Sequence, residues 1–156
     1  MHQYRVVKYS AEERAGTVPA WTAMSDIGRS FGGEVLTEVE YLATEGRYLA
    51  AVRRFAAVQG VTGLRVDGLE VHPESPWWQR VAEGDRLPLD EAIELARSIL
   101  REEFVWCRLV GDGDFFVHFG YDYYLYIGAE RSPEEAVREV RESGLHVDEF
   151  ESPYLT

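Results

Sequence analysis

The thiol of Cys107 and the imidazole of His118 are the side chains in this sequence best suited to nucleophilic catalysis. They lie on either side of Asp112-Gly113, a dipeptide typical of a two-residue turn between antiparallel strands. Such a turn places Cys107 opposite His118 across the hairpin. A thiol beside an imidazole is the minimal pair of nucleophile and general base.

The neighbours of this pair favour core packing over catalysis. Leu109 and Phe116 flank it in the same register, and apolar surroundings raise the pKa of a thiol. Asp122 lies four residues beyond His118, on the order of 13 Å along a strand, which is too far to orient the imidazole. We therefore predict that no residue is catalytic. The alternative is a small enzyme or ligand-binding domain with a pocket around Cys107 and His118, with Asp122, Tyr124 and His72 as further candidates.

The common motifs for cofactors and metals are absent from the sequence. It contains no nucleophile elbow, no phosphate-binding loop and no dinucleotide-binding glycine pattern. No Cys or His pair has the spacing of a zinc site, and Asp112-Gly113-Asp114 lacks the later ligands of a calcium loop. We expect no cofactor and no metal site.

The net charge of −12 is confined to one part of the chain. Residues 1–62 hold seven acids and seven bases, whereas residues 63–156 hold 21 acids and nine bases. An acidic surface repels nucleic acids and anionic membranes, so we expect neither as a partner. The same surface attracts basic proteins. Solubility alone would also account for the acids.

Aromatic residues near unexplained acids define a predicted surface for a partner. Trp77 and Trp78 follow a helix start at Ser75-Pro76 and point about 100° apart, so one is expected in the core and one at the surface. Acids in first helical turns complement the helix dipole, but those near the C-terminus have no such role. The predicted partner-binding residues are Trp77, Trp78, Asp122, Tyr124, Tyr126, Asp148, Glu149, Glu151 and Tyr154.

These observations favour a non-enzymatic acidic module that binds a basic protein. An immunity-type inhibitor of a basic toxin, such as a nuclease, fits the chain length and charge. A homodimer joined through an edge strand at Gln3–Tyr9 is a further interpretation. The single cysteine and the absence of an apolar signal segment at the start of the sequence predict a cytoplasmic protein.

The order of elements predicts one α+β domain over residues 1–156. A strand at Gln3–Tyr9 precedes a helix at 19–31, where apolar residues recur every three or four positions. A second helix runs from Thr37 to Gln59, with a capping threonine at its start and Gly60 after its end. We expect this N-terminal strand and its two helices to cover the second face of the sheet.

The acidic part of the chain predicts a ferredoxin-like βαββαβ unit. Its first strand is interpreted as a hairpin that turns on Asp67-Gly68, because the apolar residues change phase at that point. A helix at 89–102 follows, then two strands joined at Asp112-Gly113. A helix from 132 to 144 and a strand at 145–150 complete the pattern.

Overall fold

A seven-stranded antiparallel sheet dominates the computed structural model, which describes residues 1–10, 23–31, 33–120 and 124–153. The strands are β1 (His2–Val7), β2 (Ser30–Phe31), β3 (Glu34–Val35), β4 (Gly63–Val71), β5 (Arg86–Pro88), β6 (Val105–Val110), β7 (Phe116–Phe119), β8 (Leu125–Ala129) and β9 (His146–Glu149). The helices of the described ranges are α1 (Glu38–Gln59), α2 (Leu89–Leu100) and α3 (Glu134–Glu142). The large sheet has the order β5-β4-β6-β7-β8-β1-β9, and β2 and β3 form a separate pair. The predicted α+β class is confirmed.

The three helices pack on the same face of the sheet. α1 contacts both α2 and α3, and all three contribute to one apolar core. Aromatic rings of α1 lie against strand residues of that face, Phe55 against Tyr4 and Tyr48 against Phe119. The prediction that α1 covers the second face is therefore wrong. Periodicity identified the buried stripe of this helix but not the side of the sheet to which the stripe attaches.

The capping signals of α1 act as the sequence predicts. The Thr37 side chain accepts a hydrogen bond of 3.2 Å from the backbone N–H of Glu40. At the other end, Gly60 adopts a left-handed conformation with φ 69°, and its N–H donates to carbonyls of the last turn. These contacts satisfy backbone groups that a helix end leaves unpaired.

Residues 63–71 form one bulged strand, so the predicted hairpin is wrong. The pairing of β4 with β6 shifts between Asp67 and Glu70, where β4 contains one extra residue. Gly68 lies in this bulge with φ 67°. The Glu83 carboxylate accepts hydrogen bonds from the backbone N–H groups of Gly68 and Leu69. The extra residue of a bulge shifts the alternation of side chains by one position, so the apolar residues before and after it lie on the same face, as they would after a turn.

The hairpin between β6 and β7 is shifted by one residue from the predicted register. Val110 pairs with Phe116 rather than with Phe115. The connection is longer than two residues, because the N–H of Gly111 donates to the carbonyl of Phe115 at 2.8 Å. A shift of one residue moves every side chain of a strand to the opposite face.

Two predicted helices are not formed by the described residues. In the predicted helix 19–31, residues 24–26 form a single 3-10 turn and Ser30–Phe31 is a strand, while 19–22 lie outside the described ranges. Gly28 has φ 94° and interrupts the helical pattern. After Ser75 the chain makes successive turns, and Gln79 has φ 63°, which is incompatible with a continuing helix.

The finer ferredoxin-like order is not confirmed. β4 and β6 are adjacent and antiparallel, whereas a split βαβ unit places another strand between them.

β1 lies between β8 and β9, so Gln3–Tyr9 is not an edge strand and the predicted homodimer contact through it is wrong. The edge strands are β5 and β9. Both edges have features that limit pairing with another strand: β5 contains Pro88, and the Arg141 guanidinium donates a hydrogen bond to the Val147 carbonyl of β9.

Candidate functional site

Cys107 lies in the core between the sheet and the helices. Its side chain is fully buried, and burial together with the negative charges of Glu83 and Asp67 raises the pKa of the thiol to about 12. Cys107 and His118 lie on opposite faces of the sheet in the observed register. The prediction that Cys107 and His118 are cross-strand neighbours is therefore wrong. The thiol of Cys107 is protonated at neutral pH.

His118 is buried on the second face of the sheet. Its ring lies between those of Phe116, at 5.2 Å, and Tyr126, at 5.5 Å, and it shares a hydrogen bond with the Ser152 hydroxyl. Burial, with the positive charge of Arg108, lowers the pKa of His118 to about 4. A base with so low a pKa removes a proton poorly from a serine hydroxyl at neutral pH. The Ser152 contact, which the sequence did not indicate, therefore anchors the C-terminal segment to the sheet.

The two neighbouring tryptophans have opposite environments. Trp77 is buried, and its indole N–H donates to the Ser98 hydroxyl at 2.8 Å. Trp78 is 41% exposed. Tyr126, another predicted partner-binding residue, is buried between His118 and Phe150. Trp77 and Tyr126 therefore present no surface to a partner.

The predicted acidic surface near the C-terminus is not continuous with Trp78. Asp148 forms an ion pair of 3.6 Å with Arg5, whose guanidinium also lies 5.3 Å from the Tyr124 ring. Glu149 and Glu151 are exposed. Five strand spacings, about 24 Å, separate β9 from β4, which precedes Trp78. Two further predicted residues, Asp122 and Tyr154, lie outside the described residues.

A cleft of about 730 Å³ opens at one end of the sheet, where β4 and β7 end and β6 begins. The end of α2 closes one of its sides. Its lining combines apolar, aromatic and acidic residues, namely Glu70, Val71, His72, Ile99, Leu100, Glu102, Phe104, Val105, Trp106, Phe119 and Gly120. Open clefts with an apolar floor and a few polar groups are the usual form of a binding site.

Aromatic side chains form the wall of the cleft. Trp106 is held in place because its indole N–H donates to the Phe119 carbonyl at 2.8 Å. Phe104 is 58% exposed, and its ring lies 5.8 Å from the ring of His72. Phe104 therefore presents apolar surface to solvent at the cleft.

The turn after α2 holds two lining residues in an unfavourable backbone conformation. The N–H of Glu103 donates to the Ser98 carbonyl and that of Glu102 to Ile99, which is the Schellman pattern of a helix end. Glu102 occupies the left-handed position of this motif with φ 57°, and Phe104 has the same φ. Such positions favour glycine, and glycines follow α1 and α3. Backbone strain of this kind concentrates at functional sites.

Replacing Glu102 with glycine is expected to raise the free energy of unfolding by about 0.5–1 kcal/mol. The free energy gained by relieving the left-handed strain exceeds the entropic cost of the flexibility that glycine adds to the unfolded chain. The corresponding rise in Tm is about 2 °C for a chain of this length. The matched control, Glu91→Gly within α2, is expected to lower stability by about 1 kcal/mol. Equal losses in both variants, measured by thermal unfolding, would contradict the assigned strain.

The charge of the cleft is negative. Glu70 and Glu102 contribute carboxylates, and no lysine or arginine lines the cleft among the residues that the structure describes. The nearest arginine along the chain, Arg101, directs its guanidinium to buried Glu45 at 3.0 Å. Arg97 also binds Glu45, at 2.8 Å. Both guanidinium groups therefore pair with Glu45, a residue of α1 that does not line the cleft.

Comparison with known proteins identifies no relative. Searches against protein-family models, curated proteins and solved structures each found no significant match.

Within the described ranges, no group of three or more His, Cys, Asp and Glu side chains is arranged to hold a metal ion. The helices described by the structure are too short or too polar to cross a membrane.

Of the cleft residues, only His72 was a candidate from the sequence. One local signal was present: Arg101-Glu-Glu-Phe104 joins a helix to a strand without the glycine that usually follows a helix. A residue other than glycine in a left-handed position lowers stability, so the missing glycine indicates strain at this turn. The contribution of β4 and β7 to the same cleft depends on strand pairing and has no local signal.

Proposed function

We propose that the protein is a non-enzymatic binding module that receives a basic side chain of a protein partner in the cleft beside Phe104. One observation carries this proposal: an open cleft has an exposed aromatic wall and two carboxylates, and its described lining contains no lysine or arginine. A cation that enters such a cleft gains contact with aromatic faces and with opposite charge.

The charge distribution supports a protein partner. Every lining residue belongs to residues 63–156, a segment whose 21 acids and nine bases give it a net charge of −12. A field of that extent accelerates encounter with a basic macromolecule. An inhibitor of a basic toxin, such as a nuclease, would act by covering a phosphate-binding surface with these carboxylates. The cytoplasmic location that such a role implies remains a prediction.

Catalysis around Cys107 and His118 has less support. The two groups lie on opposite faces, and neither side chain has the protonation chemistry of an activated pair at neutral pH. Neither residue lines the cleft. The binding proposal uses residues that are exposed together, which the enzymatic alternative does not.

Capture of a basic partner from the native host at low salt tests the proposed function. We expect the wild-type protein to retain one basic protein that elutes with rising salt, because screening weakens attraction between charges. Phe104→Ala is expected to weaken binding of that protein by about 30-fold or more, the effect of removing a central aromatic contact.

Matched variants make this test specific. Trp78→Ala removes an exposed aromatic outside the cleft, and Glu91→Gln removes an exposed acid outside it. Both are expected to bind within about twofold of wild type, as peripheral contacts usually do. Undiminished binding by Phe104→Ala, or capture of no basic protein by the wild type, would contradict the proposal.

A further inference from the structure

We infer that Asp112-Gly113, in the turn between β6 and β7, is a site of spontaneous backbone modification at which Asp112 converts to isoaspartate, and that Arg86 slows this conversion. The inference is independent of the proposed function, because the turn lies at the end of β6 and β7 opposite the cleft. It follows from the different environments of the two Asp-Gly dipeptides in the chain, Asp67-Gly68 and Asp112-Gly113.

The reaction needs an aspartate followed by a residue whose backbone nitrogen can reach the side-chain carboxyl. The nitrogen of Gly113 attacks the Cγ atom of Asp112, a C–N bond forms, and the carboxyl hydroxyl leaves with the amide proton as one water molecule. Water then opens the resulting succinimide ring, and opening at the main-chain carbonyl leaves the backbone running through the former side chain. Glycine favours the attack because it has no Cβ to obstruct the approach.

The structure requires glycine at position 113, so the reactive dipeptide cannot be avoided by a change of that residue. Gly113 has φ 67°, a left-handed conformation that residues with a side chain rarely adopt. A Cβ atom at this position would also overlap the Glu130 carboxylate. Position 113 therefore cannot carry the bulkier residue that would slow the reaction.

The turn leaves both reacting groups accessible. The Asp112 side chain is 84% exposed, and the Arg86 guanidinium, which donates to it at 3.2 Å, is itself 56% exposed. Among the described residues, none accepts a hydrogen bond from the Gly113 N–H. An exposed turn with few fixed contacts opens at a low cost in free energy, which lets the nitrogen approach the carboxyl.

The other dipeptide, Asp67-Gly68, is fixed on both sides of the bond that would react. Arg108 contacts the Asp67 carboxylate at 2.7 Å and pairs with the same residue in the ladder of β4 and β6. The Gly68 N–H donates to the Glu83 carboxylate at 2.9 Å. Attack at Asp67 would break these contacts within the sheet, so opening costs more free energy there than at the turn.

Arg86 restrains the reaction at Asp112. The carboxyl loses its hydroxyl readily when it is protonated, and the hydrogen bond from Arg86, together with its positive charge, lowers the pKa of Asp112. At mildly acidic pH, this ion pair therefore reduces the fraction of Asp112 in the reactive form. Two hydrogen bonds from Arg86 also limit the rotation of the carboxylate.

Peptide mapping of the full chain after storage tests the inference. The folded protein is kept at mildly acidic pH for several weeks and digested with trypsin, which releases the two dipeptides in separate peptides, 66–80 and 109–131. Electron-transfer fragmentation distinguishes isoaspartate from aspartate, and the succinimide is lighter by one water molecule. We expect isoaspartate to accumulate at Asp112 at least fivefold faster than at Asp67. In urea, where the protective contacts are lost, the two rates are expected to lie within about twofold of each other.

Three variants assign the effect to these residues. Asp112→Glu is expected to remove the isoaspartate signal from the peptide 109–131, because the larger ring forms slowly. Arg86→Gln is expected to raise the rate at Asp112 at least twofold. The matched control, Arg53→Gln, removes another exposed arginine, one that pairs with Asp90 at 2.8 Å, and is expected to leave the rate unchanged.

The opposite results are equally distinct. Conversion at Asp67 as fast as at Asp112 in the folded protein would overturn the inference, as would conversion at Asp112 that occurs only in urea. An unchanged rate in Arg86→Gln, or equal acceleration by Arg86→Gln and Arg53→Gln, would overturn the role assigned to Arg86.

Discussion

The free energy of unfolding of a Glu45→Gln variant is expected to be about 3 kcal/mol lower than that of the wild-type protein. Glu45 is fully buried between α1 and α2 and accepts hydrogen bonds from Arg97 and Arg101. Loss of one partner from a buried ion pair costs about 3–5 kcal/mol. The arginines remain about one third exposed, which places the expected loss at the lower end of that range. Urea unfolding measures this difference.

Glu94→Gln provides the matched control. Glu94 pairs with the same Arg97, at 3.3 Å, but its side chain is more than half exposed. Exposed pairs contribute about 0.5 kcal/mol, so this variant is expected to unfold nearly as wild type. Equal stability of Glu45→Gln and Glu94→Gln would show that the Glu45 ion pairs do not stabilise the helix contact.

The Glu45 pair also supports the cleft. Arg101 directly follows Leu100, the last residue of α2, and the next residue, Glu102, lines the cleft. Because Glu45 binds the Arg101 guanidinium, it fixes the last turn of this helix and the position of the Glu102 carboxylate. We therefore expect Glu45→Gln to weaken partner binding as well as stability, while Glu94→Gln preserves both.

Acidification from pH 7 to pH 5 is expected to cost about 2 kcal/mol through His118 alone. Burial and the charge of Arg108 lower its pKa in the folded protein to about 4, against an ordinary value of 6.5. The unfolded chain therefore binds a proton more readily over this range. Stability from His118 is present above pH 6.5 and is lost as the pH falls toward 4, by about 1.4 kcal/mol per unit.

The His118→Gln variant isolates this contribution. Its free energy of unfolding is expected to fall less between pH 7 and pH 5 than that of wild type, by about 2 kcal/mol. His72→Gln, which replaces an exposed histidine, is the matched control for loss of an imidazole. The assignment of a low pKa to buried His118 fails if wild type and His118→Gln lose the same amount.

Local sequence signals correctly predicted the ends of a helix where the chemistry of a single residue determines the boundary. Thr37 and Gly60 mark the ends of α1 because capping depends on side-chain chemistry and on backbone freedom. At Asp67-Gly68 the same kind of signal was ambiguous. A glycine with positive φ serves a tight turn or a bulge equally well, and the pairing partner of β4 decides between them.

Long-range features explain most of the incorrect site predictions. One additional loop residue between β6 and β7 placed Cys107 and His118 on opposite faces. Alternation of residues along a strand is visible in a sequence, but register depends on the length of the connection. The cleft joins Glu70, Phe104 and Phe119 from three strand ends and their neighbours, which only the assembled sheet brings together. The exposure of Phe104 could not be inferred from its aromatic character.

Hydrogen–deuterium exchange of the complex with the captured basic partner tests the binding account most directly. We expect slower exchange than in the free protein at residues 70–72 and 102–106, all of which line the cleft except Glu103. Phe104→Ala should lose that protection, while Trp78→Ala should retain it. Protection confined to Trp78 or to the acids at 148–151, with no change at 102–106, would contradict the account.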